Sequence, residues 1–488
     1  MQTKMKKFLA TLLAAVSVTT AAGSLAGCGG TPTFKDLEIP EGGYDGSKQT
    51  VEFYHTMRQN LTEVLDNYIE KFNVLYPNIT IDHKQVGGYD DVRDQISKEL
   101  TAGNQPNVAY CYPDHVALYN IAGSVQTLDD LIASEITVTR ADESTETLGL
   151  TQAQIDDFIP GYYNEGKAFG DNKMYTLPFS KSTEVLYYDK TFFDANNLTP
   201  PTTWDELEQL CEDILAIDKN CIPLGYDSEA NWFITMCEQY GSPYTSADSN
   251  NHFLFDNETN RAFVQKFAEW YQKGYVTTQE IHGAYTSTLF VEQQAKTRSY
   301  MSIGSSAGAT KQCPEPDNKG KYPFEVGIAT IPQINAEAPK VISQGPSLCI
   351  FKKDNPQEVL ASWLFVKYLT TSIEFQSDFS IASGYVPVLQ SVVEDPYYAT
   401  FLNKPNTLKG EQRNKFIAAL SAKVCMDQAD AYYVSPAFKG SSVARDEVGS
   451  LMQRCFTEAK GKNLSGQSLA DMIKKEFKDA VEECEYQV

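Results

Sequence analysis

The chain has 488 residues, and its 41 Lys and Arg stand against 64 Asp and Glu for a formal net charge of −23. So acidic a balance excludes a nucleic-acid footprint and a basic patch for anionic lipid. The length supplies two or three domains with their own cores, so neither disulfides nor metals are needed as staples.

At the start, Lys4, Lys6 and Lys7 precede an apolar stretch from Phe8 to about Val18, and small residues then lead to Leu25-Ala26-Gly27-Cys28. The stretch is shorter than the roughly 20 residues a membrane-spanning helix takes, and its charged front and small-residue tail are those of a cleaved signal. Leu25 to Cys28 resembles the lipobox of bacterial lipoproteins. The resemblance implies a lipoprotein signal peptide over 1–27 and a mature N-terminus at Cys28, whose thiol carries a diacylglycerol and whose amine can take an acyl chain such as palmitate. The protein is then exported and held at the outer face of the cytoplasmic membrane. Removing residues 1–27, with three lysines and no acid, leaves 461 residues with 38 positive and 64 negative side chains, a balance of −26.

Nine further cysteines remain, an odd number, with no C-x-x-C pair, which removes the ordinary zinc and thioredoxin-like readings. Cys211, Cys349 and Cys455 lie among apolar neighbours and read as core residues. Export permits a disulfide, and spacing assigns none.

Residues 28–48 are rich in Gly, Pro and charge and read as a lipidated tether. Val51 to Tyr54 alternates as a strand, and Leu61, Val64, Leu65, Tyr68, Ile69 and Phe72 follow at helical spacing, with Asn60 and Glu63 placed as a capping pair. Ile79 to Ile81 is a second strand. Val92, Ile96 and Leu100 line a helix that stops at Gly103, and Asn107 to Tyr110 is a third strand. This β-α-β-α order argues for a mostly parallel sheet flanked by helices. Residues 135–156 are polar and irregular. Met174 to Leu177 and Glu184 to Tyr188 are strands around Pro178 to Ser182. Thr203 and Glu206 form a capping box for a helix buried through Trp204, Leu207, Cys211, Ile214 and Leu215. A helix from Thr259 stops at Gly274, Phe324 to Ile331 and Val341 to Phe351 are strands, Asn355-Pro356 starts a helix to about Leu369, and the C-terminus is helical. Repeats of 20 to 50 residues are not visible.

Five segments carry a family resemblance: Ala102 to Val108, Tyr175 to Lys190, Pro201 to Leu207, Trp363 to Tyr368, and Gly384 to Pro387. In this order the chain, over about 49–390, resembles the extracellular solute-binding protein family 1, the carbohydrate receptors of ABC importers. The resemblance implies an α/β, two-lobed periplasmic-binding-protein-like fold of type II, with the ligand cleft between lobes joined by hinge crossovers. It places lobe one at 49–180 plus 336–385 and lobe two at 181–335 plus 386–488. It also implies a carbohydrate ligand and ABC permease subunits as partners, with the lipid at Cys28 as the contact to the membrane; a monomer is expected, no cofactor and no metal-ligand set are read from the residues, and a bound metal ion is left open.

Ligands of open α/β sheets lie beyond the carboxyl ends of strands. After the first strand stand His55 and Arg58, whose polar side chains reach a cleft if the strand ends there. After the third stand Tyr112, Asp114 and His115, where the family places an aromatic, an Asp and a basic residue on sugar hydroxyls. A carboxylate suits that position because it accepts two vicinal hydroxyls at once. In this chain Cys111 stands in place of the aromatic, which leaves stacking to Tyr112, and His115 stands where the family's maltose receptor has Arg. At the hinge the resemblance singles out Ser180, Lys181 and Ser182, the last standing where that receptor has a sugar-binding Glu, so the maltose-like ligand itself is in question. Trp232 offers a surface for the apolar face of a pyranose or, equally, a core residue beside Phe233 and Ile234. Ser305 and Ser306, Gly345 and Tyr385 complete the candidates.

Gly304 to Gly308 matches the G-x-S-x-G elbow of α/β-hydrolases, which needs a His later in the chain. The last of the five histidines is His282, upstream of it only, so that order fails. The histidines contain no H-E-x-x-H. Two carboxylates suffice for a glycosidase, which 64 acids leave open. A receptor for a sugar-alcohol phosphate is a further alternative, prompted by Arg58, His115 and Lys181.

Overall fold

The computed structural model describes residues 34–247, 250–292, 297–405 and 411–488. The signal segment and Cys28 lie outside them.

Two five-stranded sheets, each with helices around it, form two lobes. In lobe one the order is Ile79–Gln85, Gln49–His55, Val108–Cys111, Ser347–Ile350 and Thr176–Pro178. Gln49–His55 runs parallel to both neighbours, and Ser347–Ile350 is antiparallel to both of its own. In lobe two the order is Val326–Thr330, Glu184–Asp189, Met301–Ser305, Leu224–Tyr226 and Val276–Thr278. There Glu184–Asp189 is the reversed strand and the others share one direction. The two reversed strands are those the chain enters straight from the other lobe. They begin at the cleft, whereas the remaining strands end there, which puts the loops after His55 and Cys111 at the lobe boundary.

The apolar patterning places the cores. Leu65, Tyr68, Ile69 and Phe72 of the helix Gln59–Leu75 bury beside Phe53 and Phe365 in lobe one. Trp204, Leu207, Cys211 and Ile214 of the helix Trp204–Ile217 bury in lobe two, and the Thr203–Glu206 capping box forms, with the Glu206 amide donating to Thr203 Oγ1 at 3.2 Å. Arg58, not Asn60, caps the helix Gln59–Leu75, and without a side-chain bond; Asn60 lies within it. The polar stretch after residue 135 holds a hairpin, Thr137–Thr139 with Thr145–Thr147, whose residues alternate too briefly for periodicity to reveal.

The expected strand Val341 to Phe351 is broken. Val341–Ile342 belongs to lobe two and Ser347–Ile350 to lobe one, because the chain crosses between them. Gly345 makes the crossing possible: its φ is 98°, and a Cβ there would lie 2.4 Å from the Ser180 carbonyl oxygen. The first crossing, 179–183, runs alongside, with Ser182 and Gln344 exchanging backbone hydrogen bonds of 2.9 Å.

Three boundaries differ from expectation, and the first is that Val341–Ile342, expected in lobe one, packs in the core of lobe two. Residues 386–402 stay with lobe one, where Val386, Val388, Leu389, Val392, Tyr398 and Phe401 are buried in its core. The third crossing comes later, beside Tyr432–Tyr433, which pairs with Val341–Ile342. The helix Glu411–Asp427 lies between the lobes, with Ile417 in a lobe-two cluster and Ala418, Ala422 and Cys425 in the lobe-one core. The segment expected to be tether is also partly built in: Tyr44 is buried, Leu37 and Ile39 pack on lobe one, and Asp36 pairs with Lys352 at 2.6 Å. Apolar side chains spaced through a Gly- and Pro-rich stretch hold it there. All nine cysteines among the described residues are buried, unbridged thiols.

Candidate ligand-binding cleft

Between the lobes lies a cavity of about 60 Å³. Lobe one contributes Tyr112, Asp114 and Glu165, lobe two contributes Tyr244 and Arg445, and the second crossing contributes Ser343 and Gln344. Small-molecule sites span roughly 300–1,000 Å³. The lobes therefore lie close together here, with less room than a ligand of that size fills.

Tyr112 and Asp114 owe their place to the strand Val108–Cys111, which ends at the cleft and turns into the helix Pro113–Tyr119 with Tyr112 as its N-cap. Tyr112 stacks on Tyr89 at 4.6 Å between centroids, and the Tyr89 hydroxyl meets that of Tyr385 at 3.3 Å. Burial raises the pKa of all three phenols, so they stay protonated. The result is an aromatic wall on lobe one.

Arg445 is the fifth residue of the helix Ser441–Gly461. Its guanidinium donates to Asn231 Oδ1, and Asn231 Nδ2 donates to Glu184 Oε1 at 3.0 Å. Glu184 also accepts from the Tyr226 hydroxyl at 2.6 Å. Burial works against the charged Arg445, but Asp114 foremost among its neighbours more than offsets this and its pKa is raised. Burial pushes Glu184 up to about 7, despite those two hydrogen bonds. A polar chain thus runs from the cleft wall into lobe two.

The crossings are fixed by a buried ion pair. Lys181 Nζ donates to Glu165 Oε1 at 2.7 Å, to Ser347 Oγ at 3.2 Å and to the Gly345 carbonyl at 3.4 Å, with the lysine wholly buried.

Several expected ligand residues lie elsewhere. His55 is fully buried: its Nε2 meets His83 Nδ1 at 2.8 Å and its Nδ1 accepts from the Met57 amide at 3.1 Å, so both ring nitrogens are used. Arg58 is exposed at the start of its helix and does not line the cavity. His115 is buried behind Tyr112, in edge contact with its ring, and burial lowers its pKa. Trp232 is a core residue, stacked on Tyr226 at 4.8 Å and 8°. Ser306 is buried, its Oγ accepting from the Thr183 amide at 3.1 Å and its own amide donating to the Thr183 carbonyl, so it ties the hinge and is no exposed nucleophile. Ser180 and Gly345 are buried in the crossings, and Ser182 approaches Ser305 at 3.4 Å between hydroxyls.

Of the sequence candidates, the structure brings Tyr112 and Asp114 to the cavity, with Tyr385 behind Tyr112. Sequence reasoning missed Tyr89, Glu165, Tyr244, Ser343, Gln344 and Arg445. Arg445 lies on the buried face of its helix, with Val448, Gly449 and Met452 three, four and seven residues on, so helical spacing gave no sign of a cleft residue there.

The fold and this cleft are those of an extracellular solute receptor. Residues 67–405 match the family model for bacterial extracellular solute-binding proteins, and the chain belongs to that family. It is 22% identical over 350 residues to the maltotriose-binding protein of Pyrococcus abyssi, covering 71% of this chain and 68% of that protein. To the sn-glycerol-3-phosphate-binding periplasmic protein UgpB of Salmonella typhimurium it is 22% identical over 359 residues, covering 71% and 75%. Among solved structures, the cyclic α-maltosyl-1,6-maltose binding protein of Arthrobacter globiformis superposes with a TM-score of 0.64 at 17% identity, over 89% of this chain and 99% of that one. UgpB of Mycobacterium tuberculosis in complex with glycerophosphocholine gives 0.64 at 16% identity, over 89% and 99%. The protein is a substrate-binding protein with the two-lobed architecture of these neighbours.

Proposed function

We propose that the protein captures a sugar or oligosaccharide in the interlobe cleft by hinge closure, releases it unchanged to an ABC permease, and works as a monomer anchored through lipid on Cys28. The observation that carries the ligand class is that Asp114 from one lobe and Arg445 from the other line the same cavity, beside Tyr112 and Tyr244. Carboxylate and guanidinium accept from and donate to sugar hydroxyls, and phenol rings cover the apolar faces of pyranoses. Because the two charged groups come from different lobes, a ligand touching both favours the closed state.

The maltotriose- and maltosyl-maltose-binding proteins support this reading. A second reading, a glycerophosphate ligand, draws on Arg445 as a cation in the cavity and on the two UgpB relatives. Titration calorimetry against neutral saccharides and glycerol 3-phosphate separates the two. Product analysis of the same mixtures tests the absence of catalysis, since new reducing ends would reveal a hydrolase. For the anchor, Cys28→Ser is expected to abolish incorporation of labelled palmitate and move the protein from membrane to medium. Retention of label would sink the lipid assignment.

A further inference from the structure

The buried pair Lys181–Glu165 has a feature that structural stapling alone does not use. The three protons of the Lys181 ammonium go to Glu165 Oε1, the Gly345 carbonyl and Ser347 Oγ, so the lysine has none left for a ligand. Glu165, by contrast, keeps acceptor capacity. Among the described residues its Oε2 receives only the Ser343 hydroxyl, at a long 3.4 Å, and Glu165 lines the cavity while almost wholly buried. A carboxylate offers about four lone-pair sites, and here at most two are taken.

We infer that Glu165 is a ligand-reading carboxylate of this cleft, held in place by Lys181, and that it selects neutral, hydroxyl-bearing ligands over phosphorylated ones. This rests on the carbohydrate reading above and deepens it. Hydroxyls bring protons to Glu165 Oε2 and to Asp114. A phosphate brings acceptor oxygens and negative charge, and meets two carboxylates with Arg445 as the cavity's cationic lining residue. Lys181 compensates the charge of Glu165 but gives the ligand no proton, so it is a positioning residue.

The test is titration calorimetry with maltose, maltotriose, raffinose and stachyose, and separately with glycerol 3-phosphate and glycerophosphocholine. The tightest neutral probe is then carried to Glu165→Gln and to the double variant Glu165→Gln with Lys181→Met. The double variant removes both charges, so a loss of binding there is not the cost of a stranded buried ammonium, and its circular dichroism and Tm verify the fold. The expected result is saccharide binding that weakens tenfold or more in both variants, with the double variant folded, and no heat from either phosphate. Unchanged saccharide affinity in the folded double variant overturns the role of Glu165 while the carbohydrate reading stands. Heat from a phosphate and from none of the saccharides overturns both. Silence from all six probes overturns the assignment of small neutral saccharides to this cavity.

Discussion

Arg93 of lobe one meets Asp446 of lobe two at 3.0 Å, and the same Nη1 donates to Ser442 at 3.0 Å. Arg93 lies in the helix Tyr89–Ala102 and its partners in Ser441–Gly461, so this contact exists only when the lobes are closed. Asp446 is about half exposed while Arg93 is mostly buried, and such a pair contributes on the order of 1 kcal/mol or less. Arg93→Ala is therefore expected to raise the ligand Kd about two- to fivefold, by lowering the population of the closed form. Small-angle scattering of the ligand-free variant should give a larger radius of gyration, and an unchanged radius and Kd would show that the pair does not hold the lobes.

Asp114 lines the cavity from the first turn of the helix Pro113–Tyr119, where its Oδ1 accepts from the His115 amide at 3.0 Å, one bond of a short helix that its neighbours also hold in place. Asp114→Ala is expected to keep the circular dichroism spectrum and Tm and to weaken ligand binding by about 10- to 100-fold, the loss of one or two hydrogen bonds to a charged acceptor at about 1.5–3 kcal/mol in total. Calorimetry with the tightest ligand checks this, and wild-type affinity in the variant would remove Asp114 from the site.

Glu184 sets a pH dependence. Its folded pKa of about 7 lies above the ordinary 4.5, so the folded state holds a proton that the unfolded state has lost between those values. Stability from this group is therefore complete below pH 4.5 and is lost as pH rises to about 7, by about 3 kcal/mol at most. Urea unfolding at pH 5 and pH 7.5 should show a smaller drop for Glu184→Gln than for the wild type. Equal drops would place the slope elsewhere.

His55 works in the opposite direction. Burial and the neighbouring His83 lower its folded pKa to about 3 from 6.5, so stability from neutral His55 is present above pH 6.5 and is lost as pH falls from there toward 3. His55→Ala leaves the Met57 amide unpaired and is expected to destabilise by about 1–3 kcal/mol. Its ligand affinity at pH 7.5 should match the wild type. A tenfold loss of affinity with unchanged Tm would return His55 to the binding site.

The cleft was legible where a strand ends. Asp114 and Tyr112 follow Val108–Cys111 directly, and a short loop after a strand has few directions to take. Trp232 and His55 misled for a common reason: an aromatic or polar residue at an element's end can turn either inward or to the cleft, and stacking on Tyr226 and the pairing with His83 decided both inward. Arg445 and Glu165 carried no local sign, because each meets the cavity only through lobe closure and neither lies in the segments that resemble the family. Residues 386–402 were assigned to the wrong lobe since apolar side chains say that a segment is buried and not against which core.

By itself the sequence determined the alternation of strands and helices, the capping of the Trp204 helix by Thr203 and Glu206, and the strong net acidity of the chain. These follow from local propensity, side-chain spacing and charge, each readable within a few residues. Only the tertiary structure decided that Lys181 serves Glu165 and not the cleft directly, that Val341 to Phe351 divides between two lobes, and that Asp114 faces Arg445 across the boundary. Those pairs join residues 16 to more than 300 positions apart, and what brings them together is the burial of two separate cores and the crossings that tie them.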